Sequence, residues 1–102
     1  MPKLTYDEAF NYVVARFYLG EIKMDGIPAE VERVCGDYTD GAKHAMKCDL
    51  FGKILQVEEL SNDLLLKTWV RYDNEENKDE LMTLLYQVYD TELRMRLNNV
   101  RK

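Results

Sequence analysis

The last quarter of the chain is the strongest constraint on its fold. From Lys78 to about Val100, apolar residues recur at helical spacing, with Leu81, Leu84, Leu85, Val88 and Met95 along one stripe. Met82, Tyr86, Tyr89, Leu93, Leu97 and Val100 widen that stripe. The resulting arc is broader than the ~100° of an ordinary surface helix. Asn77 stands where such a helix would be capped. A helix of this kind lies in a groove between two others, or turns part of its surface toward another chain.

The rest of the sequence reads the same way. Thr5-Tyr6-Asp7-Glu8 fits a capping box, with Thr5 as cap and Glu8 closing it, and predicts a helix running to about Lys23. Its apolar residues form two stripes: Tyr6, Ala9, Phe10, Val13, Val14 and Phe17, and on the opposite side Tyr12, Ala15, Leu19 and Ile22. Two stripes imply either burial in the middle of the fold, the plainer reading, or a second face shown to a partner. Gly26-Ile27-Pro28 reads as a turn, and a short helix follows from Ala29 to Cys35, ended by Gly36. Thr39 or Asp40 can cap a third helix from about Gly41 to Val57, and Ser61-Asn62-Asp63 a fourth, with Leu65, Trp69 and Tyr72 at helical spacing. The fold class that follows is all-α, a compact bundle of four to five helices in a single domain spanning 1–102. One alternative is α+β, with a small hairpin in 53–72, because Val, Ile, Trp and Tyr are at home in strands.

Composition narrows the function classes. Nineteen acids against fourteen bases give a net charge of −5 over 102 residues. A surface built to coat nucleic acid needs dense positive charge, and so does one built to dock on anionic lipid. The longest apolar runs are a few residues, such as Leu64–Leu66, far below the ~20 residues that span a bilayer, and the start does not resemble a signal peptide. Two cysteines exclude a disulfide-built scaffold. A cytoplasmic protein with free thiols at Cys35 and Cys48 is expected.

Charge is unevenly placed. Asp73, Glu75, Glu76, Asp79 and Glu80 lie within eight residues that hold one base, Lys78. Glu58 and Glu59 form a second acidic step. Arg94, Arg96, Arg101 and Lys102 form a basic tail with no acid among the last nine residues. Acids near helix starts and bases near helix ends also complement helix dipoles, so part of this pattern is structural. Asp49 and Glu92 fall close to apolar stripes, and burial there calls for internal partners such as Arg16 or Arg96.

No motif specifies catalysis or a cofactor. Phosphate-loop, dinucleotide and nucleophile-elbow patterns are absent. Adjacent acid pairs are plentiful but look solvated, and the Asp37–Asp40 segment lacks calcium-loop spacing. Cys35, His44 and Cys48 are the one metal-like set, with His44 and Cys48 four apart on a helix face, but no paired cysteines complete a closed zinc site. The same residues give Cys–His nucleophilic chemistry no flanking signature.

Seven tyrosines offer rigid rings with polar tips, and Tyr12, Tyr18, Tyr86 and Tyr89 fall at or beyond the edges of the main stripes. The expected function is therefore non-enzymatic: a protein-binding domain whose acidic, tyrosine-bearing surface occupies a basic, nucleic-acid-binding surface of a partner. In size and charge alone it is similar to phage-encoded inhibitors of host nucleases or anti-CRISPR proteins. The alternative is a small helical DNA-binding regulator, dimeric through its last helix, with the basic tail on phosphates.

Overall fold

The computed structural model describes residues 4–100. The chain is all-α, and its described residues form five helices: α1 (Tyr6–Tyr18), α2 (Ile27–Val34), α3 (Asp40–Leu55), α4 (Asn62–Asp73) and α5 (Glu80–Val100). Single 3-10 turns cover Met24–Gly26 and Val57–Glu59. No strand occurs among the described residues, which overturns the hairpin alternative across 53–72. The Ser61 hydroxyl accepts from the Leu64 N–H at 3.2 Å and starts α4, and the helical row Leu65, Trp69, Tyr72 then faces inward. A cap and a periodic apolar face outweigh the weak strand preference of individual residues. The chain divides into two compact units, Met1–Leu50 and Phe51–Lys102, with the boundary inside α3.

In the first unit, α1 begins with the expected capping box. Glu8 N–H donates to Thr5 Oγ1 at 3.2 Å, and Thr5 N–H donates to Glu8 Oε1 at 2.9 Å. The bond from the Thr5 backbone holds the Glu8 carboxyl below its ordinary value. The helix stops at Tyr18, short of the Lys23 expected from periodicity. Gly20 takes a left-handed conformation, φ +79°, and its N–H donates to Phe17 O while Glu21 N–H donates to Arg16 O. This pair of bonds is a Schellman ending, which glycine permits because it has no Cβ to clash. The Arg16 side chain straddles the ending and donates from Nε to Glu21 Oε2 at 3.0 Å.

Only one face of α1 is buried, through Ala9, Val13 and Val14. Tyr12, Ala15 and Leu19 are exposed, so the helix is not centrally buried, which was the plainer of the two readings that its stripes allowed.

Polar contacts tie the three helices of this unit together. Glu30, 7% exposed on α2, accepts Arg16 Nη1 at 2.7 Å and also pairs with Arg33. A carboxylate this buried is tolerable because two guanidinium groups compensate it. Glu32 accepts both Lys43 Nζ at 3.0 Å and Lys47 Nζ at 3.1 Å, and these two ammonium groups lower its carboxyl. The Tyr6 hydroxyl donates to Asp49, and the Tyr38 hydroxyl donates to Leu4 O. Asp49 thus finds a phenol, not the arginine that its sequence position suggested. Thr39 caps α3, its Oγ1 accepting from Ala42 N–H at 3.1 Å.

In the second unit, α3 ends at Leu55, two residues earlier than expected, because Gln56 turns left-handed with φ 53°. α4 and α5 then run antiparallel. Asn62 meets Arg96 at one end of the pair, and Asp73 meets Tyr86 near the other. Phe51, Val57, Leu65, Leu84, Leu85, Val88 and Tyr89 are buried. The broad arc of α5 is buried only part of the way, since Met95, Leu97 and Val100 are 54%, 52% and 82% exposed.

The left-handed position at Gly20 gives a direct test. Gly20→Ala places a Cβ where φ is positive and should lower stability by about 1 kcal/mol. Urea unfolding followed by circular dichroism would measure it; an unchanged midpoint would contradict the Schellman ending.

Candidate functional site

The candidate surface is the tip of the α4–α5 hairpin, residues 73–80, and the contacts behind it are what fix its geometry. On the inward faces, the rings of Tyr72 and Tyr89 stack with centroids 5.6 Å apart, and Trp69 lies 6.1 Å from Tyr86. Trp69 Nε1–H donates to Asp90 Oδ1 at 2.9 Å, and Arg94 Nε donates to Asp90 Oδ2 at 2.8 Å. Burial alone would raise the Asp90 carboxyl, but the bonds from Arg94 and Trp69 together hold it below its ordinary value.

Nearer the tip, the Tyr86 hydroxyl donates to Asp73 Oδ1 at 2.6 Å, which pushes the phenol's pKa up. Lys78 spans the tip, with Nζ donating to Glu75 O at 3.0 Å and lying 5.0 Å from the centre of the Tyr86 ring. Asp79, not Asn77, caps α5: its Oδ1 accepts from Met82 N–H at 2.7 Å.

The five acids of this segment therefore divide. Asp73 and Asp79 are held by the fold. Glu75, Glu76 and Glu80 are exposed, and their carboxylates have no ion pair or hydrogen bond among the described residues. A short, braced tip thus carries three free carboxylates.

Glu58 and Glu59 are exposed as well, but they sit elsewhere. Arg96 Nη2 donates to Val57 O at 3.1 Å and to Glu58 O at 3.3 Å, and Nη1 donates to Asn62 Oδ1 at 2.8 Å. This pins the 3-10 turn beside Arg96, sixteen positions along α5 from Glu80, or about 24 Å at about 1.5 Å per residue. The two acidic groups lie toward opposite ends of the hairpin and do not form one patch.

The tyrosines also separate. Tyr89 is 8% exposed and belongs to the core, which removes it from any contact surface. Tyr86 is half-buried and tied to Asp73. Tyr12 and Tyr18 are exposed but belong to the first unit, where Tyr12 has Arg16 5.9 Å from its ring centre and Arg33 Nη2 3.5 Å from its hydroxyl.

The basic tail is partly spent inside the fold. Arg94 pairs with Asp90, and Arg96 is 3.7 Å from Glu92 as well as bonded to the turn. Glu92, 9% exposed, thus finds the partner its position called for. Arg101 and Lys102 lie outside the described residues.

In the first unit, Cys48 Sγ lies 3.7 Å from His44 Nε2, while Cys35 is buried. Burial raises the thiol pKa of both cysteines, and nearby Asp49 adds to the rise at Cys48. No group of three or more His, Cys, Asp or Glu side chains is placed to hold a metal ion among the described residues. No helix is long and apolar enough to cross a membrane among those residues.

The Trp69–Asp90–Arg94 contact escaped the sequence reading, though Asp90 and Arg94 are spaced i, i+4 and an ion pair there was readable. The indole donor was not, because it comes from another helix. Compared with protein-family models, curated proteins and solved structures, the chain matches none.

Asp90 links this geometry to acid stability. Its folded pKa is depressed, so its contribution is present above the ordinary carboxylate value and is lost as pH falls through the folded value. Asp90→Asn keeps an acceptor for Trp69 but removes the charge. It should lower stability at neutral pH by about 1 kcal/mol and flatten the decline below about pH 4. Urea titrations across pH, read by the fluorescence of Trp69, would show this; parallel wild-type and variant acid limbs would contradict it.

Proposed function

We propose that this chain is a non-enzymatic binding protein whose hairpin tip docks against a basic surface of another protein. The observation that carries this reading is the set of three exposed carboxylates of Glu75, Glu76 and Glu80, without an ion pair or hydrogen bond among the described residues, on a tip braced by Asp73–Tyr86, Lys78 and the Asp79 cap. Carboxylates pair with arginine and lysine through charge-assisted hydrogen bonds, the same groups that hold nucleic-acid phosphates. Occupying those groups would block phosphate binding. The concrete form is an acidic inhibitor or modulator of a nucleic-acid-handling protein, such as a phage-type inhibitor of a host nuclease or CRISPR effector.

Bracing matters to such a mechanism. A preorganised tip loses less conformational freedom on binding than a floppy acidic loop, so more of the electrostatic attraction is retained as affinity. The tip is preferred to the basic tail as the contact surface because Arg94 and Arg96, two of the four bases of that tail, are paired with Asp90 and Glu92. A cytoplasmic location fits this reading, because nucleic-acid-handling partners are found there.

The test is a pull-down with tagged chain from nuclease-treated native extract at low and high salt. A nucleic-acid-binding protein retained at low salt and released at high salt is the expected result. Neutralising the tip with Glu75→Gln, Glu76→Gln and Glu80→Gln together should weaken that complex by roughly tenfold to a hundredfold, as three contacts of ~0.5–1 kcal/mol each would. Glu58→Gln with Glu59→Gln, toward the far end of the hairpin, should have little effect. Equal binding by the tip variant would overturn the proposal.

A further inference from the structure

We propose that His44 and Cys48 form a two-donor site for a borderline-soft divalent cation of the zinc class, open to exchange and independent of the hairpin tip. The argument is geometric. Zinc binds thiolate sulfur at about 2.3 Å and imidazole nitrogen at about 2.0–2.1 Å, so two such ligands at the tetrahedral angle stand about 3.6 Å apart. Cys48 Sγ and His44 Nε2 stand 3.7 Å apart. The donors already have the bite that the ion requires, and they have it because both project from successive turns of the regular helix α3.

The surroundings agree with the geometry. His44 is exposed and Cys48 is half-buried, so an ion has access from solvent. The neighbouring cation Lys47 is paired with Glu32, and the Asp49 carboxylate lies beside Cys48. The local field therefore does not oppose a divalent cation. Without metal, the thiol and the imidazole nitrogen lie within hydrogen-bond distance of each other. Binding would release the thiol proton to solvent and place the ion between thiolate sulfur and neutral imidazole nitrogen.

Cys35, 1% exposed, does not join this pair, and no third His, Cys, Asp or Glu completes a site among the described residues. The two remaining tetrahedral positions then fall to water. Open positions distinguish an exchangeable site from a closed structural one.

Cobalt(II) titration of the reduced full chain provides the test, followed by thiolate-to-cobalt charge-transfer absorption in the near ultraviolet. The expected band saturates at one ion per chain and is bleached by zinc. It should vanish in Cys48→Ser, weaken by about tenfold or more in His44→Ala, and persist in Cys35→Ser. Circular dichroism would establish that each variant keeps its helix content. A second readout needs no variant: zinc should slow alkylation of Cys48 in the wild-type chain and leave Cys35 unaffected. Absence of the band in the wild type, its survival in Cys48→Ser, or alkylation of Cys48 at the same rate with and without zinc would overturn the site.

Discussion

The indole–carboxylate bond between Trp69 and Asp90 holds the second unit in its working geometry. It crosses from α4 to α5 at mid-length and, with the buried Leu65, Leu84, Leu85 and Val88, favours one register between the two helices. Once it is made, Tyr72 falls against Tyr89, Trp69 against Tyr86, and Asp73 within reach of the Tyr86 hydroxyl. Slipping one helix by a turn would separate every one of these partners. Arg96 repeats the same device at the other end by reaching the turn and Asn62. The tip is therefore held by contacts behind it and by Asp73, Lys78 and Asp79, and the side chains of its own glutamates make no ion pair or hydrogen bond among the described residues.

The first unit solves a different problem with similar means. Its helices are short, and α1 buries only one side. Charged side chains complete the joints between helices: Glu30 between Arg16 and Arg33, and Glu32 between Lys43 and Lys47. Glu32 is exposed, so its two pairs are individually weak in water. Glu30 is nearly buried, and removing its arginines would leave a charge with no water to replace them.

Much of the fold was legible in the sequence because helices advertise themselves through local signals. Thr5 with Glu8, Ser61, and Thr39 or Asp40 each marked a start, and the helical class with four to five helices followed from periodicity. The ends were harder. Periodicity carried α1 through to Lys23, but Gly20 broke it by entering left-handed space, a choice visible only as a glycine in the sequence. Gln56 does the same without even that cue. For the candidate surface, the sequence located the acids but not their division of labour. Asp73 and Asp79 resemble Glu75 and Glu76 in a charge count, yet a tyrosine from α5 and a helix start claim the first two. The pairing of α4 with α5 is what separates them. It also set Glu58 and Glu59 far from the tip and drew Tyr89 into the core.

On the proposed function, the glutamates of the tip meet cations of a partner. Zero-length carboxylate–amine cross-linking of the complex, with peptides identified by mass spectrometry, tests this most directly. The expected cross-links join Glu75, Glu76 or Glu80 to lysines of the partner's nucleic-acid-binding surface and are suppressed at high salt. Cross-links that avoid the tip and arise from Glu58, Glu59 or the first unit would contradict it.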